Sequence, residues 1–144
     1  MPSPTGRLVS TNQVLFNAKA ATGVSPVIPC ESFTNIIVAV TAPLNTTLTF
    51  KFQGSTGTSV SSQAAPDFSA TQAVTNMWDY LSAYDLNDPT SVIVGDTGVL
   101  LDNLSAAANT SMYIVNVALM RYFSLQVSAY TDGSLTAVVM GSTI

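Results

Sequence analysis

Residues 46–54 read TTLTFKFQG. Leu48, Phe50 and Phe52 alternate with Thr47, Thr49, Lys51 and Gln53, so one side of the segment is apolar and the other polar. A period of two is that of a half-buried β-strand, because successive side chains on a strand point to opposite faces. Just upstream, FTNIIVAVT (33–41) is rich in β-branched and aromatic residues, which suit a pleated, packed surface. Between the two runs, APLN brings Pro43 and Asn45 together, a turn signal, and the pair reads as a hairpin.

The same pattern extends outward in both directions. Strands are expected at 13–18, 24–30, 77–83, 91–94, 99–101, 112–118, 123–130 and 134–140. In YFSLQVSAY (122–130) Phe123, Leu125, Val127 and Ala129 fall on one face. The Asp132-Gly133 pair that follows is a strong hairpin-turn signal. Only short helical turns fit elsewhere, within 69–78 and 103–112. Eight to ten short strands with frequent turns predict an all-β chain: a β-sandwich, with the jelly roll as the preferred topology. The expected organisation is an extended arm over residues 1–10, marked by Pro2, Pro4 and Gly6, and one β-sandwich domain over 11–144. The longest irregular connection is expected over 55–75.

Composition bears on function. Charged residues make up 8% of the 144 residues, while hydrophobic ones reach 47%; an ordinary soluble domain is roughly 25% charged. A surface of hydroxyls and amides is easier to dehydrate than one of ammonium and carboxylate groups. Charge also normally keeps protein surfaces apart. Both facts point to an obligate assembly, with a homo-oligomer as the expected state. The net charge is −4, and the basic residues Arg7, Lys19, Lys51 and Arg121 are scattered. No cluster is available to neutralise phosphates, so nucleic acid is not an expected partner. The first residues, MPSPTGRLVSTNQ, lack the apolar core of a signal peptide, and the best apolar run is too short to span a bilayer, so no membrane partner is expected either.

The chain contains no histidine and a single cysteine, Cys30. That removes the usual general base, the Ser-His-Asp and Cys-His arrangements and the familiar zinc sites. Neither a phosphate-binding GxxxxGK[ST] loop nor a GxGxxG fingerprint is present. The chain is therefore expected to be non-enzymatic, with no catalytic residue, cofactor or metal. Cys30 reads as a small buried apolar residue. The acidic stretch YDLNDPTS (84–91) places Asp85, Asn87 and Asp88 together. A calcium loop of the EF-hand type needs an oxygen ligand and a glycine where Pro89 and Thr90 stand, so a turn is the favoured reading.

Four residues are candidates for an interface. Trp78, Tyr80 and Tyr84 share one face if NMWDYLSAY (76–84) is a continuous strand, as a stripe of core or subunit contact or, alternatively, as a sugar-stacking platform. Arg121 lies among apolar neighbours in VNVALMRYFSLQV, so it either pairs with an acid, within the chain or across a subunit boundary, or extends its head to solvent.

Several stretches taken together (LFNAKAATG, KFQGS, PDFS, the aromatic-Asp strand with DLND, GDTG, the N…RY…LQV strand and the final DGS turn) resemble small virion proteins of tailed bacteriophages. The likeness spans most of the chain from Leu15 onward. It implies a head decoration, or cement, protein: a homotrimer on the outer surface of the capsid, with the major capsid protein lattice as partner. A tail, spike or fibre module binding host-surface glycan is the alternative.

Overall fold

The computed structural model describes residues 8–57, 78–102 and 109–142. Twelve strands run through them in chain order: β1 (Leu8–Lys19), β2 (Gly23–Val24), β3 (Ile28–Pro29), β4 (Asn35–Ala42), β5 (Thr47–Ser55), β6 (Trp78–Leu81), β7 (Ala83–Asp85), β8 (Asp88–Ile93), β9 (Val99–Leu101), β10 (Asn109–Asn116), β11 (Tyr122–Asp132) and β12 (Leu135–Ser142). They form two sheets, and every pairing is antiparallel. The first sheet has the order β1-β12-β4-β10-β7-β8. The second is built on β11 and β5, with β2 and β3 beside β11 and with β6 and β9 beside β5.

The chain alternates between the sheets. It passes from β1 to β2 and β3, returns for β4, crosses to β5, and later crosses from β10 to β11 and back to β12. This is the order of a jelly roll: β1-β12-β4-β10 faces β2/β3-β11-β5-β6/β9, and the β7–β8 hairpin widens the first sheet. The expected β-sandwich is the observed one.

Packing explains why the alternation holds. Ile36, Val38, Val40 and Ala42 of β4 point inward, as do Tyr113 and Val115 of β10 and Leu135, Ala137 and Val139 of β12. From the other sheet Leu48, Phe50 and Phe52 of β5 meet them, together with Phe123, Leu125 and Val127 of β11. Phe50 lies edge-on to Tyr113 across the sandwich, with centroids 5.8 Å apart.

Several local expectations are corrected. β4 and β5 do not pair as a hairpin, and neither do β11 and β12. Both turns are corners between sheets. Turn chemistry specifies a reversal of the chain; whether the returning strand pairs with its predecessor or crosses over depends on which faces must be buried together. The segment 24–30 is two short strands, interrupted around Pro26, and 77–83 breaks at Ser82. On β11 the register shifts between Val127 and Ala129, so Tyr130 packs against the core while Ala129 is exposed. Leu8 already pairs with Ser142 and Val9 with Gly141, so β1 begins inside the stretch expected as an arm. Of the expected arm, residues 1–7 lie outside the described residues. So do 58–75 of the long connection and most of both expected helical turns; Asn109–Met112 open β10.

Candidate interaction surface

The outer face of the first sheet is the unusual surface of this chain. Side chains on a sheet line up across strands, so register defines rows. One row runs Val14, Val138, Ala39 and Met112, with Leu86 joined to it by the bond from its N–H to the Met112 carbonyl. The next row runs Met140, Ile37, Ile114, Tyr84 and Val92. All ten are apolar or aromatic. Val14, Met112, Leu86, Tyr84 and Val92 are exposed, between 42% and 54%, and the other five are half-buried. A shallow depression lies between Ala39, Leu86 and Met112.

Neutral polar rows flank the band. Thr136, Thr41 and Thr110 form one, with the Thr41 and Thr110 hydroxyls 3.3 Å apart. Asn35 and Asn116 form the other. None of these four rows contains a charged residue. An apolar centre with a polar, uncharged rim is the anatomy of a protein–protein interface. Scattered apolar residues on a surface are ordinary, but ten contiguous ones are not.

The sequence held a signal for this surface. In NIIVAV (35–40) both faces of the strand are apolar, unlike the clean alternation of 46–54. A strand without alternation is one covered on both sides. The rows themselves were not legible, because they join residues from six strands far apart in the chain.

The structure separates the four expected interface residues. Because the chain changes sheet at Ser82, Trp78 and Tyr80 belong to the second sheet and Tyr84 to the first. Trp78 is buried, at 5% exposure. Tyr80 is half-buried: its hydroxyl donates to Gln126 Oε1 at 2.8 Å, and the Lys51 ammonium sits over its ring, 4.5 Å from the centroid. Burial, then the nearby Asp96 carboxylate, pushes its phenol above the ordinary range. Tyr84 alone joins the apolar band. Arg121 contacts Glu31 of its own chain at 3.4 Å, with both side chains about half exposed at 46% and 57%. Such an exposed pair is worth about 0–1 kcal/mol.

YDLNDPTS forms the β7–β8 hairpin, in which Asp85 faces Asp88 across Leu86 and Asn87. The Asn87 N–H donates to Asp85 Oδ1 at 2.9 Å, and the Thr90 hydroxyl to Asp88 Oδ1 at 2.7 Å. Both carboxylates are thus employed in shaping the turn.

Cys30 is fully buried and its thiol donates weakly to the Met120 carbonyl at 3.6 Å. Burial, aided by the Glu31 carboxylate, pushes the thiol from an ordinary 9.0 up to about 12. The folded state therefore disfavours the thiolate. Its contribution is complete below the unfolded thiol's pKa and is lost as pH rises from there through the folded value. Linkage over that interval is worth about 4 kcal/mol at most. Denaturant unfolding between pH 8 and 11 is expected to show wild type losing stability more steeply than Cys30→Ala. The buried Tyr113, also raised, is common to both proteins, so parallel curves would show that the thiol carries no such penalty.

No protein-family model and no curated protein matches the chain. Among solved structures it is similar to the SPBc2 prophage-derived protein YomS. The two share 10% sequence identity with a TM-score of 0.62, over 97% of each chain. At that identity the likeness is one of fold alone.

Proposed function

We propose that this chain is a non-enzymatic structural protein of a bacteriophage particle, a head decoration protein held on the outer surface of the capsid by the major capsid protein lattice. The observation that carries the structural, assembly-forming part of this reading is the apolar outer face of the first sheet, whose four described rows hold no charged residue and which is suited to permanent burial against protein. Likeness of fold to a prophage-derived protein supports a phage origin, and so does the resemblance carried by the sequence motifs. A decoration protein stabilises a shell by binding only its assembled form, which shifts the equilibrium toward that form by mass action. Such work requires contact area and no reacting group, in keeping with a chain that has no histidine. The glycan-binding alternative needed Trp78 as a stacking surface, and its burial removes that support.

The test is stoichiometry. Quantitative mass spectrometry of purified particles is expected to find this chain in a fixed, near-unit ratio to the major capsid protein. A ratio of only a few copies per particle would move it to the tail, and absence from particles would overturn the virion reading altogether.

A further inference from the structure

We propose that a second copy of this chain covers the outer face of the first sheet, stacked sheet on sheet about a two-fold axis. The inference rests on reading that face as an assembly surface and names what occupies it. Area is the first reason. The two apolar rows of five residues and the flanking rows of three and two make fifteen same-face positions; at about 4.8 Å by about 6.8 Å each, they give a face of roughly 500 Å². Two such faces together bury about 1,000 Å², the lower bound of a specific interface.

Charge is the second reason. A partner of different chemistry is normally selected by complementary charge. The Thr, apolar and Asn rows carry none, and Asp88, on the same side of β8 as Val92, stands at the hairpin edge with its carboxylate held by the Thr90 hydroxyl. In a two-fold contact each patch meets itself, so any charge would be opposed to its own copy or to a neighbour of the same patch. A neutral face avoids that repulsion, which matters in a chain of net charge −4. The layout is also suited to self-contact. The band is bounded on one side by hydroxyls and on the other by amides, groups that both donate and accept hydrogen bonds and so can meet either rim. The depression beside Ala39 provides relief into which protruding side chains of the other copy can settle. A two-fold contact differs from the three-fold ring that the family resemblance implied, because a ring joins two unlike patches and this face matches itself.

Sedimentation of the purified chain at micromolar concentration is the experiment. The expected species is a dimer, twice the 15.0 kDa chain mass. Met112→Glu and Met112→Lys are each expected to weaken it about 100-fold or more, because each buries an unpaired charge. Met112 is 45% exposed, so both variants should keep the wild-type circular dichroism, while their melting temperature falls by the share that association contributes and no longer depends on concentration. Mixing the two variants is expected to restore dimers, since opposite charges then face one another. Leu100→Glu, at a 65% exposed site on the second sheet, should leave the mass unchanged. A monomeric or trimeric wild type, or a Met112→Glu variant that stays dimeric, overturns the proposal. A monomer still found in fixed ratio to the capsid protein would sink the pairing alone. A dimer missing from particles would sink the virion reading alone.

Discussion

Replacing Phe50 by Ala is expected to destabilise the fold by about 3–5 kcal/mol, a large share of the roughly 5–15 kcal/mol margin of an ordinary domain. Phe50 is fully buried at the centre of β5. Its ring meets Phe52 edge-on at 5.8 Å on its own sheet and Tyr113 at the same distance on the opposite one. Truncation loses the transfer free energy of the ring, leaves a cavity between two sheets too stiff to close it, and breaks two edge-to-face contacts. Guanidinium unfolding measures the effect. Leu100→Ala, on the exposed outer side, serves as the comparison and should change stability by less than about 0.5 kcal/mol. A loss under about 2 kcal/mol for Phe50→Ala would mean that the sheets can close the gap, and that this contact is not what couples them.

The second large effect is expected at Gly133. Its φ is +85°, a conformation that residues with a side chain rarely adopt. A Cβ there would also collide with the Thr46 hydroxyl and approach its Cα to 2.5 Å. Thr46 is buried at the β4–β5 corner, and Gly133 is at the β11–β12 corner. Two of the crossings between sheets are therefore packed against each other with room for hydrogen only. The Tyr130 hydroxyl donates to the Gly133 carbonyl at 2.8 Å, and the Ser134 N–H to the Thr46 hydroxyl at 3.4 Å, which holds the corners in place. Gly133→Val combines backbone strain of about 1–3 kcal/mol with overpacking of similar size. The expected result is a loss of about 3–5 kcal/mol, read from urea unfolding and from soluble yield. If the variant unfolds within about 1 kcal/mol of wild type, the corners can part, and their contact is incidental.

These two sites show how differently parts of this fold were written in the chain. Phe50 was legible as core from the alternation of 46–54 alone. Gly133 was legible as a turn, but not as a corner. A dipeptide such as Asp-Gly reports on its own backbone, and the partner that makes Gly133 irreplaceable, Thr46, lies far away in sequence. The candidate residues behave likewise. Tyr84 reached the apolar face, while Trp78 and Tyr80 went to the other sheet, because the continuous strand assumed for them breaks at Ser82. Most of the band, including Val14, Met112, Ile114 and Val92, could not be recognised one strand at a time.

What the sequence by itself determined is the class of the molecule and its appetite for contact. A period of two, β-branched composition and frequent turns dictate strands, and strands with one apolar face must pair into facing layers. Scarce charge and apolar residues on both sides of 35–40 are the features from which a covered outer surface is expected. Tertiary structure decided which strands are neighbours, that the two strongest turns cross the sandwich instead of closing hairpins, and that nine apolar side chains from six strands meet Leu86 of the β7–β8 turn on one face. The physical reason is range. Alternation and turn preference are set by the residue and its immediate neighbours, whereas strand order is set by the burial of all faces at once, a property that no local stretch of the chain contains.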